Sequence, residues 1–211
     1  MYERTNVRRA VMTEIAAIVL AGGKSSRMGQ DKALIKLGVR TLLNQICTLA
    51  RECATQVYVV TPWIEKYQDV LPLGCDLILE PKDNQCPLGG FITGLQYVEQ
   101  EWVLLLACDL PLLTTEVVKQ WCFSLPTVED EAIALLPKSS KGWEPLCGFY
   151  RSNCLSSLKT YWARGGKSFQ SWLSSQIVQE LSIDDRQILF NCNTPEDLKK
   201  ISNFCEKSDR F

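Results

Sequence analysis

The chain has 211 residues, 46% of them hydrophobic and 22% charged, with a formal net charge of −1. That is enough apolar material for one large domain with a real core, and the near-neutral balance excludes a broad face for a nucleic-acid backbone. There are ten cysteines and no histidine, so the commonest metal ligand and the usual general base are missing, which is awkward for a Ser-His-Asp hydrolase.

Residues 1–13 read as a tail. Arg8-Arg9 before an apolar stretch resembles a twin-arginine signal. Glu14 interrupts it, however, and the run from Ile15 to Ala21 is shorter than a signal-peptide core. Met1 and Met12 are both candidate starts. Ile15 to Leu20 has the composition of a buried parallel strand, closed by Gly22-Gly23. A loop rich in glycine and charge follows, GGKSSRMGQDKALIKLG. Thr41 to Cys53 carries an apolar stripe at helical spacing. Gln56 to Thr61 and Cys75 to Glu80 read as strands stopped by Pro62 and Pro81.

Leu88 to Gln100 reads as a helix entered through a Pro-Leu-Gly-Gly turn. Trp102 to Cys108 is the most apolar segment and is expected at the centre of the sheet; it is too short to span a bilayer. Thr114 or Thr115 caps a helix running to Trp121, with Glu116 in its first turn. Glu131 to Leu136 and Cys147 to Arg151 read as strands. Asn153 to Trp162 and Ser168 to Val178 read as helices. Phe190 is expected to close a last strand, and Thr194-Pro195-Glu196-Asp197 opens a C-terminal helix. Alternating strands and helices predict an α/β domain built on a single doubly wound, mostly parallel sheet with helices on both faces.

In such sheets ligands sit beyond the carboxyl ends of the strands. Two segments end there: the loop from Leu20 to Lys32, and Asp109. The loop is neither GxGxxG nor GxxxxGK[ST], yet its composition suits a triphosphate. Gly22, Gly23 and Gly29 let backbone amides approach, Ser25 and Ser26 add hydroxyls, and Arg27 and Lys32 add cations. Composition alone leaves a solvated surface turn equally open. Asp109 taken alone reads better as an acid that ends a strand and caps the following loop than as a metal ligand.

The run Leu20-Ala21-Gly22-Gly23-x-Ser25-x-Arg27-Met28-Gly29-x-Asp31-Lys32 is similar to the signature loop of the NTP-transferase superfamily, and specifically to that of the MobA-type molybdenum cofactor guanylyltransferases. Three later segments agree in order. Pro87-Leu88-Gly89-Gly90 resembles a G-P-L-A-G turn, with Cys86 in place of its first glycine and Gly89 in place of its alanine. Cys108-Asp109-Leu110-Pro111 resembles a C-D-x-P segment, and Asn191 to Leu198 resembles N-x-N-T-P-E-D-L. The similarity covers roughly residues 14–200. It implies a Rossmann-like nucleotidyltransferase fold over 14–203, with a short C-terminal tail at 204–211.

The resemblance implies transfer of GMP from GTP to the phosphate of the molybdenum cofactor, releasing pyrophosphate, with Mg²⁺ held by Asp109. It implies GTP binding by Leu20, Ala21, Gly22, Gly23, Lys32, Glu80 and Asp109, and catalysis through Arg27, Lys32 and Asp109. Asp83 competes with Glu80 for the family's acidic residue, and Thr61 lies near the place of a family asparagine. Ser25, Pro87, Leu88, Gly89, Asn191 and Asn193 complete the implied site. The implied partners are GTP, the molybdopterin acceptor and proteins of molybdenum insertion and molybdoenzyme maturation, with no nucleic acid and no membrane, in the cytoplasm. Trp143-Glu144-Pro145-Leu146 matches a family element on the pterin side, for which packing is an equal account.

A cytidylyltransferase for the same cofactor is the nearest rival, although that branch tends to carry L-A-A-G at Leu20 to Gly23. Sugar-nucleotide pyrophosphorylases are longer. A cysteine-rich metal or redox module is a rival of another class; the lack of any CxxC pair opposes its zinc or iron forms.

Overall fold

The computed structural model describes residues 13–22, 31–81, 86–194 and 196–201. In chain order the elements are β1 (Ile15–Leu20), the two-residue strands β2 (Lys36–Leu37) and β3 (Arg40–Thr41), α1 (Leu42–Cys53), β4 (Gln56–Thr61), α2 (Ile64–Tyr67), β5 (Asp76–Leu79), α3 (Pro87–Leu95), β6 (Trp102–Ala107), α4 (Thr115–Cys122), β7 (Ala134–Leu136), β8 (Lys138–Ser139), β9 (Gly142–Trp143), β10 (Cys147–Arg151), α5 (Leu155–Ala163), α6 (Phe169–Leu173) and β11 (Val178–Glu180).

Seven strands form one sheet in the order β11-β7-β10-β6-β1-β4-β5. β1 pairs in parallel with β4 and β6, and β4 with β5. β10 runs antiparallel to both of its neighbours, β6 and β7, and β11 returns parallel to β7. β6 is the middle strand, as its apolar run predicts. It is covered on both faces, which is why it shows no polar alternation.

Side chains alternate between two cores. Ile15, Ala17, Val19, Trp102, Leu104 and Leu106 pack on the face covered by α1 and α4. Ile18, Val103 and Leu105 pack on the other, against residues of α3, α5 and α6. Local signals set the helices. Thr41 Oγ1 accepts from the Asn44 amide at 3.1 Å to start α1, and Thr114 Oγ1 accepts from Val117 at 3.4 Å to start α4.

α3 lies close on β1 and β4. A Cβ added at Gly94 would stand 2.9 Å from Ile18 Cδ1 and 3.0 Å from Val60 Cγ2. From β1 the chain steps through α1 to β4 and on to β5. It then returns through α3, on the opposite face, to β6 on the other side of β1. The direction of winding therefore switches between β1 and β6, which opens a crevice at their carboxyl ends.

Three expectations are corrected. Pro-Leu-Gly-Gly is not a turn before a helix; it is the first turn of α3, with Pro87 at its N-terminal position, and α3 stops at Leu95. Residues 168–178 are not one helix: α6 ends at Leu173, and Val178 opens strand β11. Phe190 closes a 3₁₀ turn (Arg186–Leu189) rather than a strand. Among the described residues no helix is long and apolar enough to cross a membrane.

Candidate active site

A cleft of about 560 Å³ opens beyond the carboxyl ends of β1, β4, β5 and β6, at the switch point. Leu20, Ala21 and Gly22 extend β1 into it, and Pro62 and Trp63 follow β4. Glu80 follows β5, Pro87 and Gly90 come from α3, and Cys108 and Asp109 follow β6. Backbone bonds hold these strand ends in register: Ala21 N donates to Val60 O (2.9 Å), and Glu80 N to Thr61 O (2.8 Å).

Lys32 is aimed by its neighbour. Asp31 caps the short turn Lys32–Leu34, its Oδ1 accepting from the Ala33 amide at 3.0 Å. Its Oδ2 accepts from the Tyr67 hydroxyl at 2.7 Å and meets Lys66 Nζ at 2.5 Å. With Asp31 pinned to α2, Lys32 points into the cleft. Its Nζ donates to Asn193 Oδ1 and lies 3.6 Å from Asp109 Oδ2.

Asp109 is mostly buried, and its Oδ1 has no hydrogen-bond partner among the described residues. Burial raises its pKa against the pull of Lys32. An orphaned carboxylate oxygen in a cleft is a fitting donor for a hard divalent cation, which takes few protein ligands and completes its shell with phosphate and water oxygens. No group of three His, Cys, Asp or Glu that could hold a metal occurs among the described residues. An ion held at Asp109 would therefore have to draw its remaining ligands from a bound substrate and water.

The C-terminal segment is tied to this point. Cys192 N donates to Asp109 O at 2.9 Å. Asp197 Oδ2 accepts from the Asn193 and Thr194 amides at 3.1 and 3.0 Å, and Thr194 Oγ1 accepts from the Asp197 amide at 3.2 Å. This reciprocal cap begins the helical stretch at 196–201 and fixes Asn193 beside Lys32.

Glu80 is the buried acid of the far wall, only 8% exposed. Burial pushes its pKa up to about 7. Two glycines make room for it. A Cβ at Gly90 would lie 3.3 Å from Glu80 Oε1 and 3.2 Å from Leu20 Cδ2. One at Gly22 would lie 2.9 Å from Pro62 Cδ and 3.7 Å from Glu80 Oε2.

The cleft thus brings together Leu20, Ala21, Gly22, Lys32, Glu80, Pro87, Asp109 and Asn191, with Asn193 joined through Lys32. Thr61 is fully buried, and its hydroxyl accepts from Trp63 N at 3.1 Å, so it shapes the turn beneath the cleft wall. Leu88 is buried in the core and Gly89 in the first turn of α3; neither lines the cleft. Gly23, Ser25, Arg27 and Asp83 lie outside the described residues.

Sequence reasoning missed Trp63, which is 40% exposed on the cleft wall with Lys66 Nζ 5.2 Å from its ring centroid. The available signal was an aromatic directly after a strand-ending proline. It also missed the anchoring role of Asp31.

Residues 17–180 match the family described as the MobA-like NTP transferase domain. A probable molybdenum cofactor guanylyltransferase from a Nostoc species is 55% identical over 190 residues, covering 90% of this chain and 91% of its own. A molybdenum cofactor guanylyltransferase from Vibrio cholerae is 29% identical over 184 residues, covering 86% and 88%. Among solved structures, a molybdopterin-guanine dinucleotide biosynthesis protein A from Archaeoglobus fulgidus superposes with a TM-score of 0.76 at 22% identity, covering 91% and 99% of the two chains. At that identity the superposition bears on the fold alone.

Proposed function

The chain belongs to the MobA-like NTP transferase family, and from that premise we propose that it transfers GMP from GTP to the phosphate of the molybdenum cofactor, giving the guanine dinucleotide form and pyrophosphate. The observation that carries the chemistry is the meeting of Lys32 with the half-satisfied carboxylate of Asp109 at the mouth of two parallel strands.

The acceptor is a phosphate monoester with a second pKa of about 6, so it is largely an unprotonated nucleophile at neutral pH. No general base is required, which suits a chain without histidine. The remaining work is alignment and charge neutralisation. Ala21 and Gly22 let the nucleotide lie close against backbone. Lys32, held between Asp109 and Asn193, offsets charge building on the departing pyrophosphate. Asp109 would hold Mg²⁺, which when bound would supply Lewis-acid stabilisation of the phosphate oxygens. Arg27, Gly23 and Ser25 belong to the same phosphate loop in this reading.

At the other end of the cleft, ionised Glu80 accepts from guanine N1–H and N2–H₂, the paired donors that adenine and cytosine lack in that arrangement. The exposed face of Trp63 offers a stacking surface for the purine. Gly22 favours this reading over the cytidylyl branch. Where that branch tends to carry alanine, a Cβ in this chain would stand 2.9 Å from Pro62 Cδ.

The test is calorimetric titration with GTP, CTP, ATP and UTP, each with Mg²⁺, followed by turnover on the pterin acceptor. Selective GTP binding and pyrophosphate release are the expected results. A preference for CTP overturns the guanine assignment and leaves the transfer chemistry intact.

A further inference from the structure

The short helix α2 begins beside the cleft wall at Trp63 and ends in two residues, Lys66 and Tyr67, that both reach Asp31, the residue before Lys32. Tyr67 does not line the cleft. It is fully buried, and its ring packs in the core on the face that α1 and α4 cover. A phenylalanine ring would fill that space equally well. The hydroxyl is the part that packing does not explain. A buried hydroxyl costs free energy unless it is bonded, and this one donates to Asp31 Oδ2 at 2.7 Å. Lys66 Nζ meets the same oxygen at 2.5 Å, but its side chain is 43% exposed, so water and salt weaken that pair.

We propose that Tyr67 is a positioning residue for the phosphate chemistry of the cleft: its hydroxyl fixes the Asp31 carboxylate, and the fixed carboxylate sets where Lys32 delivers its charge. The proposal rests on the nucleotide reading of the cleft and extends it to a residue outside the cleft. The link is short. A carboxylate held at one oxygen can still swivel about its bond to Cβ. With Oδ2 held by Tyr67, Oδ1 stays on the Ala33 amide at 3.0 Å. Leu34 N donates to Asp31 O and Ile35 N to Lys32 O, both at 3.1 Å, which closes the turn around Lys32. The lysine stem is flexible, so its ammonium is placed only if its backbone is. Nζ then lands between Asn193 Oδ1 and Asp109 Oδ2.

A core role and a positioning role differ in what they couple to. If the hydroxyl only stabilises the fold, its loss lowers the melting temperature and is indifferent to Lys32. If it positions, its loss acts through the Lys32 ammonium and has nothing left to act on once that group is gone. Misalignment also weighs more on the transition state, where charge builds on the leaving group, than on the bound substrate.

The test is a double-mutant cycle of Tyr67→Phe with Lys32→Ala in the full-length protein. It is read by calorimetric binding of inorganic triphosphate with Mg²⁺ and by turnover with GTP and the pterin acceptor. Triphosphate carries no base, so its binding reports on the phosphate end whichever nucleotide the cleft prefers. Tyr67→Phe is expected to weaken triphosphate binding by about 3- to 10-fold, the worth of one well-placed hydrogen bond, and to cause no further loss in Lys32→Ala. In turnover, kcat should fall by more than KM for GTP rises. Equal losses in both backgrounds, an unchanged kcat, or a lower melting temperature with binding at the wild-type value would overturn the positioning role and leave the nucleotide reading standing. A wild-type protein that binds no triphosphate would overturn the nucleotide reading, and the positioning role with it.

Discussion

Lys32 Nζ donates to Asn193 Oδ1 and stands 3.6 Å from Asp109 Oδ2, so one ammonium joins the first loop, the end of the central strand and the C-terminal segment. Lys32→Ala should therefore do more than remove a phosphate contact. It leaves Asp109 buried without its counter-charge. We expect GTP affinity to fall by about 10- to 100-fold, the worth of a charge-assisted contact, with the far-UV spectrum unchanged. Titration calorimetry checks this, and wild-type affinity in the variant would falsify the role given to Lys32.

Asp109→Asn keeps the shape of the side chain and removes its charge. An amide is a poor ligand for a hard cation, so turnover is expected to vanish at every Mg²⁺ concentration. GTP binding without metal should stay within a few-fold of wild type or improve, because a negative charge facing the phosphates is gone. Unchanged turnover at limiting Mg²⁺ sinks the assignment.

Glu80 gives a pH dependence with a defined sign. Its pKa is raised from 4.5 to about 7 in the folded protein, so the folded state holds more protons than the unfolded one between those values. Its contribution to stability is complete below pH 4.5 and is lost as pH rises through about 7. Glu80→Gln should flatten that slope and raise the melting temperature at pH 8. GTP affinity in the wild type should instead climb through pH 7, as the carboxylate ionises and accepts from guanine. The glutamine variant should lack this climb and should prefer GTP over ATP by a smaller factor. A parallel pH profile in the two proteins counts against base recognition by Glu80.

Two glycines of α3 should separate site from scaffold. Gly94→Ala drives a Cβ against Ile18 and Val60 at 2.9 and 3.0 Å, in the packed core; overpacking of this kind costs about 1–3 kcal/mol. Gly90→Ala presses on Leu20 and Glu80 at 3.2 and 3.3 Å. There the helix-propensity gain of about 1 kcal/mol offsets the crowding, so stability should hold while GTP affinity drops. Thermal melts and GTP titrations of both variants check the contrast.

Trp63 supplies the last prediction. Trp63→Phe should retain most GTP affinity, while Trp63→Ala should lose about 1–3 kcal/mol, the usual worth of a base stacked on an aromatic ring. Equal affinity in all three proteins removes Trp63 from the site.

The fold was legible where burial is two-sided. Ile15–Leu20, Gln56–Thr61 and Cys147–Arg151 begin and end where their apolar runs do. Val178–Glu180 was not, because a three-residue edge strand of mixed polarity carries no local pattern; its state is set by pairing with Ala134–Leu136, over forty residues away. The implied Lys32, Asp109 and Glu80 share the cleft because each follows or neighbours a strand end, which a linear motif can mark. Trp63 sits on no motif. Its exposure comes from the turn that Thr61 and Pro62 impose, and that turn is a three-dimensional fact.

The reversed strand β10 has a bearing on how the molecule is made. Every cleft residue up to Asp109 is translated before β10, yet one edge of β6 stays open until Cys147–Arg151 arrives to pair with it. A nascent chain halted after α4 would carry the nucleotide half of the sheet with its most apolar strand unprotected. It would also lack Asn193, the acceptor that steadies Lys32. Ribosome-bound intermediates of this length should therefore be the stage at which chaperones engage the protein, and nucleotide binding should mature only as the final turn of the chain closes on Asp109.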